Sequence, residues 1–375
     1  MLRITEIKDF DALEISESEW NAILSQSVIN VPYLTYGWLR SWWESYNVDH
    51  ELLLLVVKSG KDIIAIAPMM ISRTRYCGIP VRKVEFLATP RSDYSDMIVA
   101  ENYSGVLDIV LKHILAKKDQ WDIIEFSEIR EDSPLLNHSK HILSAYPCFY
   151  NVTKVEVSPM INIEDTFETY FKTCVSKKIR THIKQYIRAL SSDAKMEVEH
   201  YTDISENNKL LDDFFLMHNK RWRTKQKKCK FGEDARRNFN IKVADNFSKN
   251  KWFILSVLKL NAKPIAFHYG FIYTNKFFYS IPTFDCDLAK YSPGIILLRH
   301  LVEYAFNNGF KEFDFLRGGE EYKFGWANRA KFNYKLVIFK KNIFTKSFFL
   351  YLFYAFVELT KTARSNNHGL SNLRK

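Results

Sequence analysis

The densest group of side chains suited to group-transfer chemistry lies in residues 314–326, directly after an apolar, strand-like segment. This stretch places two glycines beside an arginine, two glutamates, a tyrosine and a lysine. Glycine lets a ligand approach the backbone closely, and residues at strand ends often contact ligands. A carboxylate can accept a proton and a phenol can donate one. The pattern therefore predicts a proton-transfer site, with Glu320 as a candidate base and Tyr322 as a candidate acid.

A candidate phosphate-binding site lies just upstream, where residues 291–294 precede the apolar, helix-like residues 295–306. Proline fits the first turn of a helix because its missing N–H would be unpaired there. The free N–H groups and the positive end of a helix bind anions. An ordinary turn before a helix has the same composition, so this alternative stays open. The predicted donor-binding residues are Tyr291, Ser292, Pro293, Gly294, Ile295 and, from the downstream stretch, Lys323.

Asp285 ends the predicted strand 277–285 and is a second candidate base. It can take a proton from an amine or a hydroxyl group. Capping of a turn is an equally good interpretation for an aspartate at this position. Arg317 can bind a phosphate or a sugar carboxylate with its planar guanidinium, although a solvated helix start would also accommodate it.

Four further residues are candidates for binding the acceptor substrate. The helix predicted over residues 208–223 places some of them on one side, and the strand predicted over residues 265–271 contains a histidine. Core packing is the expected alternative for the tryptophan and for the strand histidine, whereas an arginine is harder to bury without a partner. These candidates are His218, Arg221, Trp222 and His268.

Charge is distributed unevenly along the 375 residues, which have a net charge of +11. Residues 1–150 have a net charge of −6 and residues 151–375 a net charge of +17. A basic half predicts an anionic partner, such as a phosphorylated cofactor, an acidic membrane or RNA, and a solvated surface is the alternative. The basic runs at residues 177–188 and 221–230 are typical of solvated helix faces. Among nucleic acids, only a charged tRNA is therefore kept as a partner.

The five cysteines are scattered and odd in number, which argues against both a disulfide framework and a zinc site. No metal site is predicted.

Residues 1–19 lack the apolar segment of a signal peptide, so a reducing cytoplasm is the simplest compartment. Residues 347–357 are apolar and aromatic but too short to span a bilayer. Packing on the protein body is the favoured interpretation, and peripheral contact with the inner face of a membrane is the alternative.

The same order of elements is predicted twice. Each half contains two strands joined by a turn, a further strand, a helix and a last strand. Repetition of this order indicates two copies of one α/β module, each a mixed twisted sheet flanked by helices. Residues 334–340 are expected to complete the second sheet. The predicted division is residues 1–150, residues 151–345, and a C-terminal helix and tail at residues 346–375.

This order of elements resembles the GNAT acyltransferase fold, and the second half resembles CelD-like acetyltransferases within that superfamily. Residues 263–266, 284–285, 291–294 and 314–326 carry the likeness. The first half is similar to the degenerate partner module of double-GNAT proteins, which include the Fem-type aminoacyl transferases. In this fold, the strand corresponding to residues 277–285 splays from the next strand, and Pro282 suits such a splay because proline cannot donate to a sheet ladder.

The resemblance implies an acyltransferase that moves an acyl group, in the first instance acetyl, from a thioester donor to an amine or hydroxyl group. Acyl-CoA is the implied donor, and a saccharide of the cell envelope or an extracellular polysaccharide is the implied acceptor. GNAT proteins have a longer glycine-containing loop than the one that ends at Gly294, so an acyl carrier protein or an aminoacyl-tRNA is an alternative donor. Aminoacyl transfer and a non-catalytic binding protein remain alternative functions. The acyl chain, N- or O-specificity and oligomeric state are not predicted.

Overall fold

The computed structural model describes residues 2–76, 78–103, 105–191, 194–204, 208–224, 234–341, 346–355 and 357. Cys77, Cys229, residues 225–230 of the second basic run and the tail after residue 357 lie outside them. The strands are β1 (Leu2–Ile7), β2 (His50–Ser59), β3 (Asp62–Tyr76), β4 (Ile79–Phe86), β5 (Ile98–Val99), β6 (Ile123–Arg130), β7 (Cys148–Asn162), β8 (Met196–Tyr201), β9 (Phe253–Leu260), β10 (Lys263–Tyr273), β11 (Lys276–Phe284), β12 (Glu312–Asp314) and β13 (Arg329–Lys340). The helices are α1 (Glu17–Ser25), α2 (Tyr36–Tyr46), α3 (Val106–Ala116), α4 (Pro134–Ala145), α5 (Phe167–Thr173), α6 (Lys177–Ser191), α7 (Asn208–Thr224), α8 (Asp234–Lys249), α9 (Pro293–Asn307) and α10 (Glu321–Phe324).

The structure confirms the repeated order of elements. The first copy is β2, β3, β4, α3 and β6, and the second is β9, β10, β11, α9 and β12. In each copy the last two strands pair in parallel through three residue pairs, from Lys83 opposite Ile123 and from Lys276 opposite Glu312. The helix between them supplies the crossover that a parallel pair requires.

All thirteen strands among the described residues belong to one sheet, in the order β1-β2-β3-β4-β6-β13-β7-β12-β11-β10-β9-β8, with β5 beside β3. The prediction that residues 334–340 complete the second sheet holds only in part, because β13 also joins the first half. It lies between β6 and β7 and pairs with both in antiparallel register. The sequence shows a strand here but cannot show its partners, because strand pairing is non-local. The predicted junction at residues 146–159 lies largely within β7.

The two halves also share a hydrophobic core on one face of the sheet. Trp38 of α2 lies with its ring centroid 5.0 Å from that of Phe239 in α8 and 5.7 Å from that of Phe271 in β10. The side chain of Thr35 caps α2 by accepting a hydrogen bond from the Trp38 N–H. Aromatic rings at these distances pack edge to face and add to the burial of apolar area. The halves are therefore held together by side chains as well as by β13.

Arg317 forms an ionic link between the halves. Its guanidinium lies 3.1 Å from Asp93 Oδ1, contacts Glu128 Oε1, and donates a 2.6 Å hydrogen bond to the Pro90 carbonyl. Asn333 Nδ2 donates to Glu128 Oε2 and to the Asp93 carbonyl. Burial raises the pKa of both carboxyl groups despite the nearby Arg317 charge. The predicted role of Arg317 in substrate binding finds no support here, because its donors are occupied by the first half.

A β-bulge in β11 positions the strand next to the α9 helix. Tyr269 of β10 lies opposite Ile281, whereas Phe271 lies opposite Phe278, so β11 contains one extra residue. The Ser280 N–H donates a 3.2 Å hydrogen bond to Nε2 of the buried His268. Burial lowers the pKa of His268 to about 3, so the ring is neutral and can accept this bond.

Gly270 lies beside the His268 ring at this bulge. A Cβ at position 270 would lie 2.2 Å from His268 Cε1 and 2.6 Å from the Phe278 carbonyl oxygen. Only glycine fits here without displacing backbone. His268, predicted to bind substrate, instead supports the irregular geometry of β11.

Residues 346–355 are helical and pack on one face of the sheet, where Leu350 and Tyr354 are buried with Val81 and Phe339. None of the described helices is both long and apolar enough to cross a membrane.

We expect the Arg317→Gln substitution to lower the free energy of unfolding by about 3 kcal/mol at pH 7.5, because two largely buried carboxylates lose their cation. The pKa of both carboxyl groups is already raised in the folded state. Their ionisation therefore destabilises the folded state increasingly as the pH rises through the raised pKa values. The deficit relative to the unmodified protein should therefore shrink at pH 5. Urea denaturation at both pH values measures it.

Arg73→Gln is the matched control, because Arg73 pairs with Glu51 at a site where both side chains are more than half exposed. We expect this change to cost less than about 1 kcal/mol. Equal losses for both variants, or a deficit for Arg317→Gln that does not depend on pH, would contradict the proposed link.

We expect Gly270→Ala to lower the free energy of unfolding by about 1–3 kcal/mol, since the added methyl group overlaps a buried ring and a backbone carbonyl. Gly105→Ala is the control: Gly105 has φ −65° and no atom within 4 Å of a built Cβ. Urea unfolding of both variants tests whether the bulge constrains position 270. A Gly270→Ala protein as stable as the control would show that it does not.

Candidate active site

β11 and β12 separate soon after they pair. The last pair joins Phe278 to Asp314. Beyond it, β11 continues along β10 to Phe284, whereas residues 315–318 follow β7, with the Phe315 N–H bonded to the Pro159 carbonyl at 3.0 Å. The Gly318 N–H similarly donates to the Val157 carbonyl at 2.8 Å. The two backbones therefore diverge and form the walls of a cleft.

The residues that follow the last pair differ between the halves. In the second half they are Tyr279 and Phe315, whose ring centroids lie 5.7 Å apart with an interplanar angle of 70°. In the first half they are Phe86 and Phe126, which stack at 4.4 Å. The first-half position is thus closed by two wholly apolar rings. The second half has a phenol there instead, and burial raises the pKa of Tyr279, so this hydroxyl stays protonated.

Arg221 of α7 lies across the end of β11. Its Nη1 donates a 3.1 Å hydrogen bond to the Pro282 carbonyl, and its guanidinium lies 4.1 Å from the centroid of the Phe284 ring. Burial lowers the pKa of Arg221, while the neighbouring Tyr279 and Tyr322 favour its charge. No carboxylate of the described residues lies within 4 Å of it. An arginine with this environment retains donors for an anionic or carbonyl group of a ligand.

Tyr322 faces the same region from residues 317–323, which we call the polar loop. It is 36% exposed, and its pKa is raised by burial and by the charge of Glu320. The hydroxyl group is therefore protonated at neutral pH and can donate a hydrogen bond or a proton. Arg221, Tyr279 and Tyr322 lie close enough for their charges to influence one another's pKa.

Lys323 holds the polar loop in shape. It is only 4% exposed, and its Nζ donates to the carbonyl of Arg317 at 2.8 Å and lies 2.9 Å from Glu320 Oε2. It also donates to the Leu316 carbonyl at 3.3 Å. These contacts occupy the ammonium group, so the phosphate-binding role predicted for Lys323 has no support in this geometry. The Glu320 side chain is 58% exposed and can meet an incoming substrate.

Asp285 caps the 3-10 helix Cys286–Tyr291, because its side chain accepts a hydrogen bond from the Asp287 N–H. Lys220 Nζ lies 3.1 Å from Asp285 Oδ1. Burial acts to raise the pKa of Asp285, but the hydrogen bonds from Lys220 and from the Asp287 N–H outweigh it and hold the pKa below its ordinary value. A carboxyl group with a lowered pKa is a weaker base. The capping alternative from the sequence is therefore present in the structure, next to the cleft.

The predicted phosphate site lies at the start of α9. Ser292 adopts a left-handed conformation with φ 48° and ψ 54°, and Pro293 begins the helix. Among the described residues, none accepts a hydrogen bond from the Gly294 N–H. A Cβ at Gly294 would lie 3.1 Å from Cδ1 of Phe284, so glycine also makes room for this ring. Tyr291, Ser292 and Ile295 surround this helix start and are half-buried.

The remaining α7 candidates have different surroundings. His218 is buried, and its ring stacks on Trp222 with centroids 5.8 Å apart. His268 lies beneath the bulge and does not reach solvent. The structure thus brings Arg221, Asp285, Glu320 and Tyr322 to the cleft, places the α9 start beside them, and leaves His268, Lys323 and Arg317 in supporting positions.

Sequence reasoning missed Tyr279 and Phe284. Both belong to a strand whose apolar and aromatic sequence is typical of a core element. Only the divergence of β12 places part of this strand at the cleft. Pro282 was the available signal, since proline marks a place where a strand is not fully paired.

Residues 177–324 match the acetyltransferase (GNAT) domain family, whereas no curated protein matches the sequence. FemX has a similar structure, with a TM-score of 0.60 and 9% identity over 86% of this chain and 96% of FemX. L-PGS from Bacillus licheniformis gives a TM-score of 0.53 and 14% identity over 90% of this chain and 95% of its own. A conserved protein of unknown function from Bacteroides thetaiotaomicron gives 0.53 and 14%, over 88% of this chain and 99% of its own.

These likenesses extend over both halves of the chain, and at such low identities they define its fold. The chain is folded as two tandem GNAT-like modules, and residues 177–324 of the second carry the match to the acetyltransferase (GNAT) domain.

Proposed function

We propose that the second module transfers an acyl group from acyl-CoA to an amine or hydroxyl group of a saccharide. The observation that carries this proposal is the separation of β11 and β12 after three residue pairs, beside the start of α9. An extended thioester arm fits between diverging strands, because their edge N–H and C=O groups no longer bind each other. The match of residues 177–324 to an acetyltransferase domain supports the same chemistry.

The donor is held by its phosphates in this proposal. The Gly294 N–H at the positive end of the fifteen-residue helix α9 suits an anion. Arg221 adds a positive charge from α7, since its guanidinium lies 4.1 Å from the centroid of the Phe284 ring. The phosphates would displace this ring, which lies against Gly294.

Glu320 removes the proton from the acceptor, directly or through a water molecule. Glu320 also pairs with a lysine, Lys323, but its side chain is 58% exposed, whereas that of Asp285 is 15% exposed and has a lowered pKa. The acceptor nitrogen or oxygen then forms a bond to the thioester carbon. Backbone N–H groups of β11 other than that of Ser280, which binds His268, stabilise the oxyanion. The carbon–sulfur bond breaks, and Tyr322 protonates the departing thiolate. Solvent returns a proton to Tyr322, and Glu320 releases its proton to solvent, which restores both groups.

The saccharide acceptor comes from the likeness of the residues at 263–266, 284–285, 291–294 and 314–326 to CelD-like acetyltransferases. Trp222, which stacks with His218 near the cleft, suits a sugar ring because sugars present apolar faces to aromatic side chains.

A second candidate is aminoacyl transfer from a charged tRNA. The structural similarity to FemX and the cationic outer face of α6 favour it. Ile183 and Leu190 bury one side of α6, while its other side exposes basic residues to solvent. The exposed basic residues of α6 are Lys177, Lys178, Lys184 and Arg188.

We expect Glu320→Gln and Tyr322→Phe to reduce the release of free thiol from acetyl-CoA by about 10²–10⁴-fold, because each loses a proton-transfer group. The assay contains a panel of amino sugars and polysaccharide fragments as acceptors. Calorimetry should show acetyl-CoA bound by both variants with unchanged affinity, which separates chemistry from binding.

Asp285→Asn and Asp287→Asn form a matched pair, since both carboxylates contact Lys220 but only Asp285 caps the 3-10 helix. If Glu320 is the base, Asp285→Asn should keep most of its activity, and Asp287→Asn nearly all of it. Full activity in Glu320→Gln together with loss in Asp285→Asn would reassign the base. Absence of acetyl-CoA binding by the unmodified protein would refute the proposed donor.

The tRNA alternative predicts that the purified protein retains RNA and that this retention falls steeply as salt increases. Replacing Lys177, Lys178 and Lys184 by glutamate should then weaken tRNA binding by at least tenfold in a gel-shift assay. Replacement of the exposed residues Lys8, Lys61 and Lys118 in the first half is the control. Equal binding by both charge variants would argue against a tRNA surface on α6.

A further inference from the structure

The helix at residues 346–355 is apolar on two sides. Leu350 and Tyr354 are buried against the sheet. Phe349, Leu352 and Phe353 point away from the sheet and are 61%, 48% and 44% exposed. A surface helix is normally polar on its outer side, because exposed aromatic side chains gain nothing from water. We call Phe349, Leu352 and Phe353 the outer face.

The outer face continues onto the turn between β3 and β4. Tyr76 lies edge-to-face with Phe353, with ring centroids 6.4 Å apart. Ile79, two residues after Cys77, is 37% exposed. Single exposed apolar residues are common on proteins, but a cluster of four on adjoining elements marks a surface that another molecule covers.

Basic side chains border this cluster. Lys341 lies over the Phe149 ring, which stacks on Tyr351 of the helix. Lys346, at the start of the helix, is 45% exposed and pairs with Asp122. The sequence after the helix continues the pattern, since residues 358–375 contain four basic residues and one acidic residue.

We propose that the outer face docks this protein onto the surface of an anionic lipid bilayer. Aromatic side chains with basic neighbours lie favourably at the boundary between lipid headgroups and acyl chains. Each basic residue near such a surface adds an attraction that salt weakens. The helix lies in the plane of the interface and does not span it, in keeping with its length.

Two other molecules could cover the outer face, and both fit it less well. A second copy of the chain would bring two basic borders together, which costs electrostatic free energy. Residues 358–375 are mainly polar, with only Leu359, Ala363, Leu370 and Leu373 as apolar residues, and offer little surface to match three exposed side chains.

The strand directions place the open end of the cleft at the same end of the sheet as the helix at residues 346–355. β7 begins at Cys148, opposite Lys340 and near the helix, and reaches Met160, opposite Asp314. Residues 315–318 return along β7 toward Val157, so the walls of the cleft diverge toward the end where β7 begins. A bilayer at the outer face lies at the end of the strands toward which the cleft opens.

Sedimentation with lipid vesicles tests this proposal. The full-length protein is mixed with vesicles of phosphatidylcholine containing 30% phosphatidylglycerol, and with vesicles of phosphatidylcholine alone. We expect binding to the anionic vesicles, weaker binding to the neutral ones, and a several-fold loss in 0.5 M salt. Replacing Phe349, Leu352 and Phe353 by serine should lower the partition coefficient at least tenfold without changing the urea unfolding midpoint, because all three are exposed.

The matched control replaces Val28, Val48 and Leu216, which are 52%, 76% and 67% exposed elsewhere on the surface, by serine. This variant should bind vesicles within twofold of the unmodified protein. Failure of the unmodified protein to sediment, or equal binding by the outer-face variant, would overturn the proposal. So would conversion of a dimer into a monomer by the outer-face substitutions with vesicle binding unchanged. No donor or acceptor is present, so the result is independent of the proposed acyl transfer.

Discussion

The architecture of the second module depends on the two neighbours of β12. This strand has only three residues and pairs with β11 on one side and β7 on the other. After Asp314 the chain keeps its hydrogen bonds to β7 and gives up those to β11, so the backbones separate at a defined residue. The bulge in β11, supported by His268 and Gly270, turns the other wall at the same level. A cleft with unpaired backbone groups follows from this arrangement, and the cationic and phenolic side chains around it derive their positions from it.

Side chains of the first module hold the segment that forms one wall of that cleft. Tyr94 donates hydrogen bonds to both oxygens of Asp314 at 3.0 and 2.8 Å, and Asp314 also accepts from the Leu316 N–H at 2.7 Å. Burial raises the pKa of Asp314 to about 6, so its ionisation near neutral pH costs folding free energy. Arg317 is held by Asp93 and Glu128 a few residues further along. Asp314 and Arg317 thus fix the loop, whereas the side chains of Glu320 and Tyr322 are exposed on the same segment.

The two copies of the module illustrate how one fold can keep or lose a ligand cleft. Both have a short parallel pair followed by divergence, but the first places Phe86 on Phe126 where the second places Tyr279 near Phe315. Stacked apolar rings fill the space and exclude polar groups. A phenol near Arg221 and Tyr322 leaves a polar wall instead. The difference resides in side chains and could be introduced or removed without altering strand order.

Much of the second module could be predicted from the sequence because its signals are local. Runs of β-branched and aromatic residues bounded by turn residues located β9, β10 and β11. An apolar, helix-like segment located α9, and proline with glycine marked its start. The polar composition of residues 314–326 indicated where charged groups follow a strand. Such signals depend on neighbours in the chain, which a sequence displays directly.

The tertiary structure alone decided how far each of those groups is engaged in contacts within the protein. Lys323 and Arg317 look equivalent to Arg221 in sequence, yet the first two are occupied by carbonyl and carboxylate partners. The position of β13 between the halves was likewise invisible, since an apolar strand pairs equally well with several edges. Composition and spacing determined the order of elements and the candidate residues, and the resemblance of that order to a known fold indicated the fold type. Partner choice over long sequence separations determined the cleft, because hydrogen bonds and ion pairs form between groups that only folding brings together.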